Sequence, residues 1–234
     1  MQNIENKVAY ITGATKGIGF GIAKTLVENG VKVAISGRNI EDVEKAKQLL
    51  GNQNVLAIQS DVRTFEDEQK AIAEIIKTFG QLDFVIANAG LGKFAPIDEI
   101  SLEDWNAMID TNLTGVFHTL KASVSELKKS KGYYISIASL AGINFFANGA
   151  GYNASKFGVV GFTQAAMLDL RNYDIKCTTI LPGSVTSHFN DHQPDENDSW
   201  KIQPEDLGQM IVDLFRMNSN VLPSKIEVRP TKTK

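Results

Sequence analysis

Cysteine is nearly absent: Cys177 is the one thiol among 234 residues, so no disulfide can close within the chain. It lies in an apolar run, residues 175–181, and reads as a small core residue rather than a nucleophile. Histidine is scarce. His118, His188 and His192 show no metal-ligand spacing with other ligand types, so no metal site is expected. No apolar stretch approaches the roughly 18 residues needed to cross a bilayer. The opening MQNIENK lacks the basic-then-apolar pattern of a secretory signal. The expectation is a cytoplasmic protein with no membrane partner. An excess of one charge is missing too: 24 Lys and Arg against 27 Asp and Glu leave a net −3, which gives no general attraction to nucleic acid. The small basic group Lys225, Arg229, Lys232 and Lys234 reads as a solvated tail.

What is present is the balance of a folded domain, with 43% hydrophobic and 22% charged residues. A chain of this length buries a full α/β core without disulfide or metal. Short β-branched runs alternate with longer helical patterns. Residues 8–12, 32–36, 55–59, 82–87, 133–136, 176–181 and 225–228 read as strands. Residues 19–29, 41–50, 65–79, 102–129, 154–170 and 205–215 read as helices, with Gly30 as a stop and a break near Gly115. The strands are continuously apolar, as a parallel sheet covered on both faces requires. The expectation is a single doubly wound α/β domain over 1–234, with about seven strands. The polar stretch 187–203, rich in Asp, Asn and Pro, reads as a lid near the ligand site or as a plain surface excursion.

Between the first strand and the first helix stands Thr12-Gly13-Ala14-Thr15-Lys16-Gly17-Ile18-Gly19. A strand-to-helix turn that admits a pyrophosphate needs residues without side chains, and the helix N-terminus then offers free N–H groups to the phosphates. The spacing G-x-x-x-G-x-G differs from the commoner G-x-G-x-x-G. The second strand ends Ile35-Ser36-Gly37-Arg38-Asn39, with no acidic residue until Glu41. An acid there would hold the ribose 2′-hydroxyl of NAD, whereas Arg suits the 2′-phosphate of NADP. Arg38 and Lys16 as phosphate partners, with Ser36 as a donor, therefore predict NADP(H).

Tyr152-Asn153-Ala154-Ser155-Lys156 sets a phenol and an ammonium on one helical face. Opposite charge nearby favours phenolate, which predicts a lowered phenol pKa and proton exchange with a substrate hydroxyl. With TGATKGIG (12–19), Asp61-Val62, ANAG (87–90), Asn112 in TNLTG, Ser139 in SIASLAG, and Pro182-Gly183 with Thr186, this order resembles the short-chain dehydrogenase/reductase family over nearly the whole chain. The resemblance implies a Rossmann fold and an NADP(H)-dependent interconversion of carbonyl and secondary alcohol. It implies that Gly13, Thr15, Lys16, Gly17, Ile18 and Gly19 form the phosphate turn. Asp61 and Val62 would contact adenine, Asn88 would stabilise the central strands while facing the cofactor, Ala89 would join the cofactor site, Gly90 would lie against the adenosine ribose, and Pro182, Gly183, Val185 and Thr186 would meet the nicotinamide. Ser139 would polarise the carbonyl and Tyr152 donate the proton. Lys156 would hold the nicotinamide ribose, and Asn112 a water linking Lys156 to solvent.

The tail Lys225-Ile226-Glu227-Val228-Arg229-Pro230-Thr231 lacks the D-G-G signature of many 3-oxoacyl-carrier-protein reductases of this family. It is more similar to a subgroup of broad carbonyl and hydroxy-acid reductases, which weakens the carrier-protein reading without removing it. A catalytically idle NADP(H)-sensing module is a further alternative, disfavoured by the intact Asn112, Ser139, Tyr152 and Lys156. Leu91, Leu140, Phe145, Phe146 and Phe189 flank the motifs and point to a partly hydrophobic small-molecule substrate, while the Phe145-Phe146 pair reads equally as packing under a loop or at a subunit contact. The resemblance implies a homodimer or homotetramer through the helices at 102–129 and 154–170, and the second carries more apolar surface than one stripe needs, which a partner helix would cover.

Overall fold

The computed structural model describes residues 2–232, without the side chains of Asn52 and Asp191, so Lys234 of the basic tail lies outside the described residues. Seven strands alternate with helices: β1 (Val8–Ile11), α1 (Gly17–Glu28), β2 (Lys32–Gly37), α2 (Ile40–Leu50), β3 (Val55–Gln59), α3 (Phe65–Phe79) and β4 (Phe84–Ala87). Then follow α4 (Leu102–Ile109), α5 (Gly115–Ser130), β5 (Tyr133–Ile137), α6 (Ala150–Leu170), β6 (Lys176–Pro182), α7 (Pro204–Arg216) and β7 (Lys225–Val228). The strands pair in the order β3-β2-β1-β4-β5-β6-β7, and every pairing is parallel. This is the expected Rossmann-type sheet. Parallel neighbours need crossover connections, and the helices that supply them cover both faces.

Successive strand residues face opposite sides. Ala9 and Ile11 of β1 join Ile22, Leu26, Val43 and Ile211 on the α1/α2/α7 side. Val8 and Tyr10 join Ile72, Ile75, Leu120 and Val159 on the α3/α5/α6 side. Strand order reverses between β1 and β4, so the loops leaving their carboxyl ends diverge and open a crevice there.

Two helices begin earlier than the sequence suggests. α1 starts at Gly17 rather than at residue 19, and α6 at Ala150 rather than 154, which puts Tyr152 in its first turn. Glycine lowers helix propensity around Gly149 and Gly151. Tertiary contact overrides it, because a side chain at Gly151 would collide with Met108 of α4. The expected break near Gly115 is a π-helical turn over Asp110–Thr114 that joins α4 to α5.

One buried polar cluster crosses the sheet face. Glu68 of α3 is fully buried and accepts hydrogen bonds from Tyr10 Oη at 2.8 Å and Ser60 Oγ at 2.7 Å. Burial pushes its carboxyl above the ordinary value of 4.5. The native state thus holds this proton more tightly than the unfolded chain. Its stabilising contribution is complete below the ordinary value and drains away as pH rises through the raised one. Glu68→Gln keeps the acceptor and removes the titration. Urea unfolding of both proteins from about pH 5 to 8 should show wild type losing stability relative to Glu68→Gln as pH rises. A difference that stays constant with pH would refute this account.

Candidate active site

A cleft of about 940 Å³ lies beyond the carboxyl ends of the strands. Its floor is the glycine turn. Gly13 has φ +63°, and a Cβ there would lie 2.8 Å from Ala89 Cα. Gly17 has φ +59°, and a Cβ there would face Ser187 Cβ at 3.4 Å. Any side chain at Gly19 would strike the Asn88 amide. Thr12 Oγ1 accepts from the backbone N–H groups of Asn88 (3.0 Å) and Ala89 (3.1 Å), while Asn88 Nδ2 donates to the carbonyls of Thr12 (2.9 Å) and Gly13 (3.0 Å). The turn is thus clasped to the end of β4. Lys16 caps α1 with extended backbone, no side-chain cap bond and no acid in the first turn, so the first N–H groups and the positive helix end face the cleft. His188, over this turn, carries a buried Nδ1 with no hydrogen-bond partner among the described residues.

Lys16, Gly37, Arg38, Asp61 and Val62 line the far end. Asp61 is bound by Arg63, with Nε at 3.0 Å from both carboxylate oxygens, and this bond chiefly holds its pKa below the ordinary range. Ser36 does not belong here. It is fully buried, its hydroxyl lies 3.0 Å from Tyr10 Oη on the α3 side, and it offers nothing to a phosphate.

At the opposite end Ser139 begins a short turn after β5, with Oγ accepting from Ala141 N at 3.1 Å. Tyr152 is 9% exposed, and burial pushes its phenol up to about 12, although the nearby Ser139 hydroxyl pulls the other way. Lys156 donates from Nζ to Ile137 O at 3.0 Å, and burial draws its ammonium down to about 8. The expected lowering of the phenol is therefore reversed in this structure: the ammonium is turned onto a carbonyl, and desolvation dominates. Lys156 and Asn112 stand behind the wall at Gly90, where a Cβ would lie 3.5 Å from Nζ and 3.2 Å from Asn112 Oδ1.

Asn112 sits fully buried in the π turn. Its Oδ1 accepts from Leu91 N at 2.8 Å, and its Nδ2 donates to Leu91 O at 2.8 Å and Ser155 Oγ at 3.0 Å. The side chain pins the loop after β4 against α6. Pro182, Gly183 and Val185 line the cleft. Thr186 turns away, donating to Asp198 O at 3.2 Å and accepting from Gln203 Nε2 at 3.0 Å.

The stretch 187–203 is hooked rather than loose. Its ends are tied by Thr186 N to Ile202 O at 2.9 Å and Ile202 N to Ser184 O at 3.1 Å. Within it the buried Asp198 carboxylate binds His192 and Lys201, each at 2.5 Å, and Lys201 first and His192 second pull its pKa to about 2. Leu91, Leu140, Phe145, Phe146 and Phe189 all line the cleft. Phe94, His188, Lys201 and Arg229 were not anticipated from the sequence. Phe94 presents its edge to Tyr152 at 5.5 Å, and the available signal was an aromatic residue just past ANAG. Arg229 lies beside Pro230, which packs on Gly183, and its position straight after the last strand was the clue.

Comparison with known proteins agrees with this geometry. A family model described as short chain dehydrogenase matches residues 7–198. An uncharacterized oxidoreductase of Staphylococcus aureus (strain MW2) is 32% identical over 235 residues, spanning 98% of this chain and 100% of its own. Among solved structures, an alcohol dehydrogenase from the archaeon Thermococcus sibiricus complexed with 5-hydroxy-NADP superposes with TM-score 0.91 at 28% identity, over 97% of this chain and 98% of that one. A 3-ketoacyl-(acyl-carrier-protein) reductase from Brucella melitensis complexed with NADH gives 0.89 at 26%, over 96% and 97%. The chain belongs to the short-chain dehydrogenase/reductase family of oxidoreductases.

Proposed function

We infer that the protein reduces a ketone or 3-oxo group to a secondary alcohol with NADPH, and catalyses the reverse with NADP⁺. The observation that carries this is Ser139 and Tyr152 side by side in the lining of one end of a cleft, with Lys156 one helical turn on, while the other end is a glycine turn under an open helix N-terminus. That cradle fits a dinucleotide: its glycines leave room for backbone approach, and the orphaned His188 Nδ1 awaits a polar partner. When bound, the cofactor supplies a hydride to the carbonyl carbon. Ser139 Oγ and Tyr152 Oη hold the carbonyl oxygen, and Tyr152 gives it the proton, regaining one from solvent. Lys156, cationic below about pH 8, favours the transient phenolate once it faces the phenol. Burial of Tyr152 keeps the phenol protonated beforehand, which suits the reductive direction.

NADP(H) is favoured by Lys16 and Arg38 at the adenosine end and by the missing acid after β2. The 5-hydroxy-NADP complex of the Thermococcus sibiricus enzyme supports it, although the Brucella melitensis enzyme is complexed with NADH. Substrate identity does not follow from the fold. For assembly we propose a homodimer or homotetramer through α5 and α6, where Phe117 (45%), Phe157 (43%) and Leu168 (53%) are exposed and Gly161 leaves open space for a partner helix.

Tyr152→Phe should bind NADPH like wild type yet lose about 10²–10⁴-fold in carbonyl turnover, the usual span of general acid catalysis. Reductive kcat/KM should also decline as pH climbs past about 8, where Lys156 gives up its charge. A Tyr152→Phe enzyme that keeps most of its turnover would eliminate this mechanism. Arg38→Asp should weaken NADPH by about ten- to hundredfold and NADH far less, since one charge-assisted phosphate bond is removed. Equal affinity of the wild type for NADH and NADPH would contradict the cofactor assignment. Light scattering at micromolar concentration should give a dimer or tetramer, and a monomer would rule the helical interface out.

A further inference from the structure

Phenylalanines from two separate segments pack on Tyr152, and a third packs on one of them. Phe94, on the loop after β4, sets its edge against Tyr152 at 5.5 Å and an interplanar angle of 73°. Phe189, within the hooked stretch, lies 5.4 Å from Tyr152 and 6.2 Å from Phe94. Phe146, ahead of α6, lies 5.7 Å from Phe94. Glycines make the space for these rings. A Cβ at Gly92 would run into the Phe189 ring and stand 2.9 Å from Phe94 Cζ, and one at Gly149 would stand 2.7 Å from Phe146 Cζ. The rings are nevertheless incompletely covered, at 38%, 48% and 36% exposed for Phe94, Phe146 and Phe189, around a tyrosine that is 9% exposed. Clustered apolar faces left open to water beside a reactive group favour an apolar ligand that covers them.

Charge points the same way. Lys16 and Arg38 lie at the adenosine end of the cleft. Of the other cations that line it, Lys201 and His192 are held by Asp198, and Arg229 is bonded to Glu227 at 3.1 Å. The Lys156 ammonium is spent on Ile137 O. His188, with its unpartnered Nδ1, stands over the glycine turn instead. A carboxylate on the substrate would sit among rings with no uncommitted lysine or arginine among the described residues of that wall, at a desolvation cost.

We propose that the catalytic end of the cleft is a ring-binding wall that selects carbonyl compounds bearing a flat, uncharged aromatic group, laid against the exposed Phe146 and Phe189 rings, which Phe94 backs, with its carbonyl toward Tyr152. This rests on the reductase reading for what happens to the carbonyl, but not for what binds. Aromatic faces and edges attract one another beyond area burial, so a flat ring gains over a saturated one of equal size.

The test is equilibrium titration of the full chain, alone and saturated with NADP⁺ so that no reduction occurs. The ligands are acetophenone, cyclohexyl methyl ketone, 2-butanone and phenylglyoxylate. Acetophenone should bind about tenfold tighter than 2-butanone or phenylglyoxylate and measurably tighter than cyclohexyl methyl ketone. Phe189→Leu and, independently, Phe146→Leu should each lower acetophenone affinity about fivefold more than 2-butanone affinity. Equal affinities, tighter phenylglyoxylate, or variants that weaken every ketone alike would overturn the ring-binding wall. Turnover with NADPH separates the two ideas. Acetophenone bound but never reduced supports the ring-binding wall and overturns the reductase reading. Reduction of ketones without ring preference does the reverse.

Discussion

The glycine turn owes its position to a side-chain clasp between two strand ends. Where β1 and β4 part company, Thr12 accepts from the backbone of Asn88 and Ala89, and the Asn88 amide returns two bonds to the carbonyls of Thr12 and Gly13. Backbone groups that leave a parallel sheet lose their ladder partners and need others. Here one threonine and one asparagine satisfy them while fixing Gly13 against Ala89. The cradle and the loop that runs on to Leu91 and Phe94 are therefore parts of one rigid construction. Displacing either strand end would move the phosphate end and the substrate end together.

Burial governs the chemistry of the other end. Desolvation raises the Tyr152 phenol and lowers the Lys156 ammonium, so each group is driven toward its neutral form before any ligand arrives. A neutral phenol is a proton donor in waiting. The same physics acts on Glu68, where hydrogen bonds from Tyr10 and Ser60 leave burial dominant. The protein thus keeps several ionisable groups dry, and only those at the cleft are placed to use it.

Much of this was legible in the sequence, and the failures share a cause. Strand and helix order, the glycine turn, and the Ser139, Tyr152 and Lys156 set follow from periodicity and motif. Ser36 failed because a strand buried on both faces shows no polar alternation, so the side to which each residue points is hidden until the register is known. Thr186 failed similarly: its partners, Asp198 and Gln203, are brought to it only by the hooked stretch. Phe94 was missed because nothing in an irregular loop fixes where a ring lands. The early start of α6 was missed because Gly149 and Gly151 read as helix breakers, whereas the contact of Gly151 with Met108 demands the missing side chain.

The π turn at Asp110–Thr114 then acquires a physical purpose. An uninterrupted helix from Leu102 to Ser130 would satisfy its own backbone but would carry position 112 around to a different azimuth. The inserted residue in the turn directs the Asn112 amide between Leu91 and Ser155, two segments far apart in sequence. Leu91 leads to Gly92 and Phe94, and Ser155 sits between Tyr152 and Lys156 on α6. One amide therefore sets the distance between the loop that carries Phe94 and the helix that carries Tyr152. The two are built by different parts of the chain, and without this pin the Phe94 edge would have no fixed relation to the phenol it covers.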